Sequence, residues 1–113
     1  MPCTVRLIKP FTLRDSTLLP EGSVGQMDDN CVVIFPTDTT ECRVRLNPYR
    51  LYATIEVVGR GGEGVPVEEP PDRADLHRIV LDSMCPSITG YDVEPDGHDP
   101  DGAPSWLLAL GLI

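Results

Sequence analysis

The sequence predicts a mainly β fold with a minor α part, a small five-stranded β-barrel followed by a C-terminal helical extension. About five short apolar strands occur in the first 58 residues, at the spacing expected of a small barrel. Twelve prolines and ten glycines among 113 residues indicate many turns and little long helix. A chain of this length forms one compact domain, or a small domain with an extension.

Composition divides the chain into three parts. Residues 1–58 carry the strand patterns and form the predicted barrel. Residues 59–71 are rich in glycine, proline and glutamate, which is typical of a linker or a long loop. Residues 72–113 form the predicted helical extension, which packs either on the barrel or on a partner subunit.

The first two strands flank a proline–glycine turn. Thr4–Ile8 is the first strand, and Pro20–Gly22 is a turn because proline presets φ while glycine accepts a positive φ. Ser23–Met27 then begins the second strand. Gly25 within it predicts a β-bulge or a bend of the barrel.

The remaining strands are apolar or alternating. Cys31–Phe35 is apolar on both faces, which predicts burial on both sides. Glu41–Leu46 alternates, so that its Cys, Val and Leu face inward while its Glu and two Arg face outward. A one-turn bend at Asn47–Arg50 precedes the last alternating strand, Leu51–Val57.

Two helices are predicted in the extension. Asp72 suits the N-cap of a helix over about residues 73–83, and Cys85-Pro86 ends it. Residues 87–93 form a short edge strand or a plain loop. Ala103–Leu110 predicts a last short helix that is too apolar to stay in water, since burying one large side chain stabilises by about 2 kcal/mol.

An interface is predicted at this apolar C-terminal segment. Trp106, Leu107 and Leu110 dock either on the barrel or on another subunit. Together with the doubly apolar strand Cys31–Phe35, they favour a homodimer. Whether the segment packs within one chain or swaps between subunits is open, because both arrangements bury the same side chains.

The strand and turn pattern resembles the SH3-like barrels, especially the KOW-like variety, over about residues 4–58. The resemblance rests on the apolar first strand, the P-x-G-x-x-G turn at Pro20, Gly22 and Gly25, two hairpin strands, the bend and a last strand. It implies a small barrel and says almost nothing about function. The chain lacks the basic character of the KOW pattern, which argues against an RNA or ribosomal role.

The net charge of −9 lies entirely in the second half of the chain. Residues 1–60 hold seven basic and seven acidic side chains, whereas residues 61–113 hold two and eleven. An acidic chain repels phosphates, so nucleic acid is not an expected partner. No segment approaches the ~20 apolar residues of a membrane span. We expect a soluble, cytoplasmic protein whose four cysteines are reduced.

A binding face for a ligand or protein partner is predicted around two arginines that share the outward side of one strand. Arg43 and Arg45 are followed closely by Tyr49, Arg50 and Tyr52. Arginines suit an anion or a carboxylate, and tyrosines suit stacking. The alternative is an outer sheet face that charge keeps solvated.

A calcium site is the second candidate, in the acidic loop of residues 92–102. The ligand candidates are Asp92, Glu94, Asp96, Asp99 and Asp101. The first half of the loop matches an EF-hand, but Ala103 stands where a bidentate glutamate is needed. The alternative is a solvated acidic loop without metal.

No catalytic residues are predicted. A small enzyme with a site between barrel and helix would need a polar pocket containing Cys85 or one of the two histidines, and no nucleophile or phosphate-loop motif accompanies them. The sequence therefore favours a non-catalytic binding or interaction module, with a calcium-responsive domain and a small enzyme as the alternatives.

Overall fold

The computed structural model describes residues 3–13, 16–36, 41–81 and 84–113. The mainly β class with minor helix is confirmed. Most helices and strands are short, and one six-stranded sheet organises them. In chain order the elements are β1 (Cys3–Leu7), β2 (Phe11–Thr12), β3 (Leu18–Leu19), β4 (Val24–Met27), β5 (Val32–Pro36), β6 (Glu41–Arg45), a 3-10 helix (Pro48–Arg50), α1 (Leu51–Thr54), β7 (Ile55–Val58), β8 (Gly64–Pro66), α2 (Arg73–Leu81), β9 (Cys85–Pro86), β10 (Asp92–Val93) and α3 (Trp106–Ala109).

The main sheet has the strand order β6-β5-β4-β1-β7-β8, and every pairing in it is antiparallel. β1 lies in the middle, paired with β4 through Val5↔Gly25 and with β7 through Val5↔Val57. Within the described ranges β6 and β8 are the two edges and do not pair with each other. The predicted closed barrel is therefore replaced by an open sheet, which gains a sixth strand instead of joining its ends.

The predicted last strand, Leu51–Val57, is half helix. Asn47 caps the 3-10 helix through a 2.9 Å bond from the Tyr49 backbone N–H to its side chain. α1 continues that turn, and its Thr54 hydroxyl donates to the Arg50 carbonyl at 2.9 Å. Leu51 and Thr54 are both buried, and residues three apart share one face of a helical turn but lie on opposite faces of a strand. The strand itself begins only at Ile55.

Part of the predicted linker belongs to the sheet. Gly64–Pro66 forms β8 and pairs with β7 through Val57↔Val65. The proline lies on an edge strand, where its missing N–H costs no ladder bond. Val67 directly after it is buried. Residues 59–71 therefore contain a sheet edge rather than only a loop.

Gly25 does not form a bulge, because the β1–β4 register runs through it unbroken. A Cβ atom at this position would lie 2.7 Å from the Ile34 carbonyl oxygen and 2.7 Å from Val33 Cγ1. Glycine is needed here because backbone and side-chain atoms of the neighbouring strand β5 approach this position too closely for a Cβ atom. Gly22 differs, since its φ is +89° and a Cβ there would meet nothing within 4 Å.

The C-terminal segment packs on the sheet of its own chain. α2 covers the predicted helix up to Leu81, and its predicted end at Ser83 lies outside the described residues. Of residues 87–93, for which a short edge strand or a plain loop was predicted, only Asp92–Val93 is strand, and it pairs as β10 with β9. α3 is shorter than the predicted 103–110 helix because Ser105 is its N-cap, accepting from the Leu108 N–H at 3.2 Å.

One hydrophobic core joins both halves of the chain. Val5 and Phe35 of the sheet belong to the same cluster as Ile88 and Trp106. Trp106 is 1% exposed, Leu107 is buried, and Leu110 packs against the cluster from its margin. In this structure the three residues thus contact the core of their own chain, and the interface predicted at them stays a prediction. The homodimer was predicted because this apolar segment would need a surface to cover it, and the chain's own core provides one here. The homodimer therefore remains a prediction.

Candidate functional site

A groove of about 500 Å³ lies between the β2–β3 hairpin and β6, and we call it the arginine groove. Its walls combine apolar side chains with two cationic ones. The lining residues are Phe11, Thr12, Leu13, Cys42, Arg43, Val44 and Arg45.

The β2–β3 hairpin supplies the first wall. Phe11 pairs with Leu19, and the Leu13 N–H donates to the Thr17 carbonyl at 2.8 Å. Phe11 and Leu13 are half-buried and pack against the core. These bonds fix the wall in place, and the apolar anchors hold it against the sheet.

β6 supplies the second wall, and it is an edge strand. The Leu46 N–H donates to the Cys31 carbonyl at 2.8 Å, and the register continues through Val33↔Val44. Hydrogen-bonded pairs alternate along an antiparallel ladder, so the intervening residues turn their N–H and C=O groups away from β5. At Arg43 and Arg45 these backbone groups therefore face the open edge.

The side chains of β6 alternate as the sequence predicts. Cys42 and Val44 are half-buried against the core, while Glu41, Arg43 and Arg45 are exposed. Among the described residues Arg6–Glu56 and Arg78–Asp75 form salt bridges and His98 is hydrogen-bonded to Asp29, and neither groove arginine takes part in these contacts. The groove therefore carries two exposed guanidinium groups that no carboxylate of the described residues pairs with.

Only part of the predicted binding face comes together. Arg43 and Arg45 line the groove, whereas Tyr49, Arg50 and Tyr52 are exposed on the 3-10 helix and α1, outside the lining. Sequence reasoning missed Phe11 and Leu13 as wall residues. The only signal for them was the short alternation of apolar residues around Thr12, and this alternation does not indicate that the segment lies beside β6.

The acidic loop surrounds a more open cavity of about 650 Å³, lined in part by Asp92, Glu94, Asp99 and His98. In the described ranges no group of three or more His, Cys, Asp or Glu side chains is placed to hold one metal ion. The predicted calcium ligands Asp96 and Asp101 belong to the same loop but do not line this cavity.

The Asp99 carboxylate is engaged with its own chain. Oδ1 accepts from the Asp101 N–H at 2.9 Å and the Ala103 N–H at 3.0 Å. Oδ2 accepts from the Ser87 hydroxyl at 2.9 Å and the Thr89 hydroxyl at 2.5 Å. Four donors occupy its two oxygens, so this side chain ties the loop to the segment after β9.

The cysteines and histidines do not assemble a nucleophilic site in the described part of the chain. Cys85 is fully buried and lines none of the three cavities, and His77 is exposed on α2. Burial, together with the charge of Asp99, raises the pKa of the Cys3 thiol to about 12. Burial and the charge of Asp28 raise the pKa of the Cys31 thiol to about 12 as well. Both thiols stay protonated and unreactive at neutral pH.

The third cavity, of about 280 Å³, lies between α2 and the segment before it and is lined by Glu68, Glu69 and Asp75 among others. Arg78 of α2 also lines it but is paired with Asp75. Its carboxylates outnumber its cations, and no histidine or cysteine lines it. It therefore offers no cysteine–histidine pair for nucleophilic catalysis.

The chain has no significant match among protein-family models, curated protein sequences or solved structures. A search of the described helices found none with the length and apolarity that crossing a bilayer requires.

Proposed function

We propose that this chain is a small, non-catalytic protein-interaction module whose binding surface is the arginine groove. The observation that carries the proposal is the coincidence, in one cavity, of a sheet edge and apolar walls with two guanidinium groups that form no salt bridge to any described residue. A groove with these properties suits an extended polypeptide segment.

The alternatives have weaker support. A calcium-responsive loop would require ligands that converge, and Asp99 is already saturated with internal donors. A catalytic site would require a nucleophile and a base in one cavity, and none of the three cavities pairs a cysteine with a histidine. Nucleic acid as a partner is opposed by the net charge of −9.

A selection from phage-displayed random peptides tests the proposal. Peptides are enriched on the wild-type protein, and their affinities are then measured on the double variant Arg43→Glu, Arg45→Glu. The matched control is Arg60→Glu, which makes the same type of charge change on an exposed residue of the β7–β8 turn. Circular dichroism establishes that all variants are folded.

We expect enriched peptides to lose affinity by about tenfold or more on the groove variant, since two close charge pairs become repulsive. The control variant should bind as the wild type does. Failure to enrich any peptide, or enrichment of peptides that bind both variants equally, would overturn the assignment of the groove.

A further inference from the structure

We infer that the arginine groove takes an extended peptide in which apolar and acidic residues alternate, and that this peptide joins β6 as an additional antiparallel strand. The inference rests on the proposed function and specifies the chemistry of the partner. It follows from the alternation along β6, where backbone groups, apolar side chains and cationic side chains occupy fixed positions.

The backbone of β6 provides the pairing. The N–H and C=O groups of Arg43 and Arg45 point away from β5, toward the cavity edge, and the described chain offers no strand to meet them. An added strand satisfies these groups as the existing ladder does on the other side. Antiparallel addition continues the pattern of every other pairing in the sheet.

The side chains of β6 determine the pattern of the partner. In an antiparallel pair, residues directly opposite each other place their side chains on the same face of the sheet. A residue opposite Arg43 or Arg45 lies on the outer, exposed face and is complementary if it is acidic. The residues between them lie on the face of Cys42 and Val44, beside Phe11 and Leu13, and are complementary if they are apolar.

A second copy of this chain fits the same edge less well. Antiparallel pairing of two β6 strands about Arg43 sets Glu41 of each copy opposite Arg45 of the other, but it also sets Arg43 opposite its own copy, and like charges directly opposite are destabilising. In contrast, a peptide with alternating acidic and apolar residues can pair its carboxylates with Arg43 and Arg45 and pack its apolar side chains against the walls of the groove.

The test uses a synthetic peptide of alternating valine and glutamate and compares it with four relatives by fluorescence anisotropy. One has the same composition in two blocks, and one alternates valine with lysine. A third carries N-methyl groups on its glutamates, whose N–H groups face β6 in the inferred arrangement. The fourth is the matched control, with equally many N-methyl groups on its valines, whose N–H groups face away.

We expect the alternating valine–glutamate peptide to bind best. The peptide with its valines and glutamates in two separate blocks, and the peptide that alternates valine with lysine, should bind more weakly. Methylation of the glutamates should weaken binding about tenfold, because it removes at least two backbone hydrogen bonds. Methylation of the valines should weaken it less. Amide hydrogen exchange should slow at Arg43 and Arg45 on binding, and remain unchanged at Cys42 and Val44, which already pair with β5.

Several results overturn the inference and separate it from the proposed function. If the two-block peptide binds as well as the alternating peptide, or if the two methylated peptides bind equally well, the backbone pairing is absent and charge alone holds the ligand. If none of these designed peptides binds but phage-selected peptides still require Arg43 and Arg45, the groove remains the binding site and the inferred chemistry of its partner is wrong. A doubled native mass with Arg43 protected in the absence of peptide assigns the edge to a second copy. If neither the designed peptides nor the phage-selected peptides bind at the arginine groove, both this inference and the proposed function are wrong.

Discussion

The hydroxyl of Ser87 donates a 2.9 Å hydrogen bond to the Asp99 carboxylate, and both side chains are buried. Twelve residues separate them, and β10 lies between. The bond therefore fastens the acidic loop to the core segment at Ile88. An acidic side chain that composition would place in solvent acts here as a structural centre with four internal donors.

Substituting Asp99→Ala should destabilise the fold by about 3 kcal/mol, because it leaves buried donors without the charged acceptor they serve. Asp96→Ala in the same loop is the control, since Asp96 is exposed. Its free energy of unfolding should change by less than about 0.5 kcal/mol. Urea unfolding followed by Trp106 fluorescence measures both variants. Equal stabilities would mean that the Asp99 network is not formed in solution.

Calcium should leave the melting temperature unchanged. The loop has no convergent ligand set among the described residues, and Asp99 is occupied by protein donors. Differential scanning fluorimetry with calcium, and with a chelator as the reference, gives the answer. A calcium-dependent rise that Asp96→Ala abolishes would restore the calcium-responsive alternative.

The two glycines of the P-x-G-x-x-G turn should respond differently to alanine. Gly25→Ala forces a Cβ against the Ile34 backbone and should cost about 1–3 kcal/mol or more through overpacking. Gly22→Ala meets no neighbour and should cost about 1–2 kcal/mol for its left-handed φ alone. Replacing Gly22 with Asn, which tolerates that region, should recover part of the loss, whereas Gly25→Asn should not.

Thiol labelling should distinguish the four cysteines. Cys42 is half-buried in the arginine groove and should react first with the labelling reagent in the native protein. The other three cysteines, Cys3, Cys31 and Cys85, are buried and should react only when the protein unfolds. A ligand in the groove should slow the labelling of Cys42. Mass spectrometry of the labelled peptides measures this order. Rapid native labelling of Cys85 would instead revive the enzyme alternative.

Alkaline pH should destabilise the fold through the buried thiols. Burial raises the pKa values of Cys3 and Cys31 from 9.0 to about 12, so the folded state keeps protons that the unfolded chain releases. Their contribution is complete below about pH 9 and is lost as pH rises toward 12. Urea unfolding across this range should show a decline that the double variant Cys3→Ala, Cys31→Ala makes shallower. An unchanged slope would contradict it.

The parts of the fold that are encoded by local alternation were predictable, and the parts set by distant contacts were not. Glu41–Leu46 alternates strictly, and β6 has the predicted faces. Leu51–Thr54 alternates too, but the cap at Asn47 starts a helical turn that continues through it. β8 escaped prediction because a three-residue edge strand rich in glycine and proline has the composition of a linker.

The candidate site was half predictable for the same reason. Arg43 and Arg45 share one face because a strand has period two, and that much is visible in the residues themselves. Phe11 and Leu13 join them only because the β2–β3 hairpin turns toward β6, which no local pattern specifies. Likewise the burial of Asp99 depends on Ser87 and Thr89, which local charge patterning cannot reveal.

The shared core has a consequence for the order of events during synthesis. The Cys31 thiol contacts the carbonyl of Ala109, 78 residues further along the chain, at 3.5 Å. Until α3 has been made, the nascent sheet lacks Trp106 and Leu107, which complete its core. Contacts of such long sequence separation slow folding. The strands of the sheet therefore leave the ribosome with part of their apolar face uncovered, and the final packing of the sheet follows the synthesis of α3.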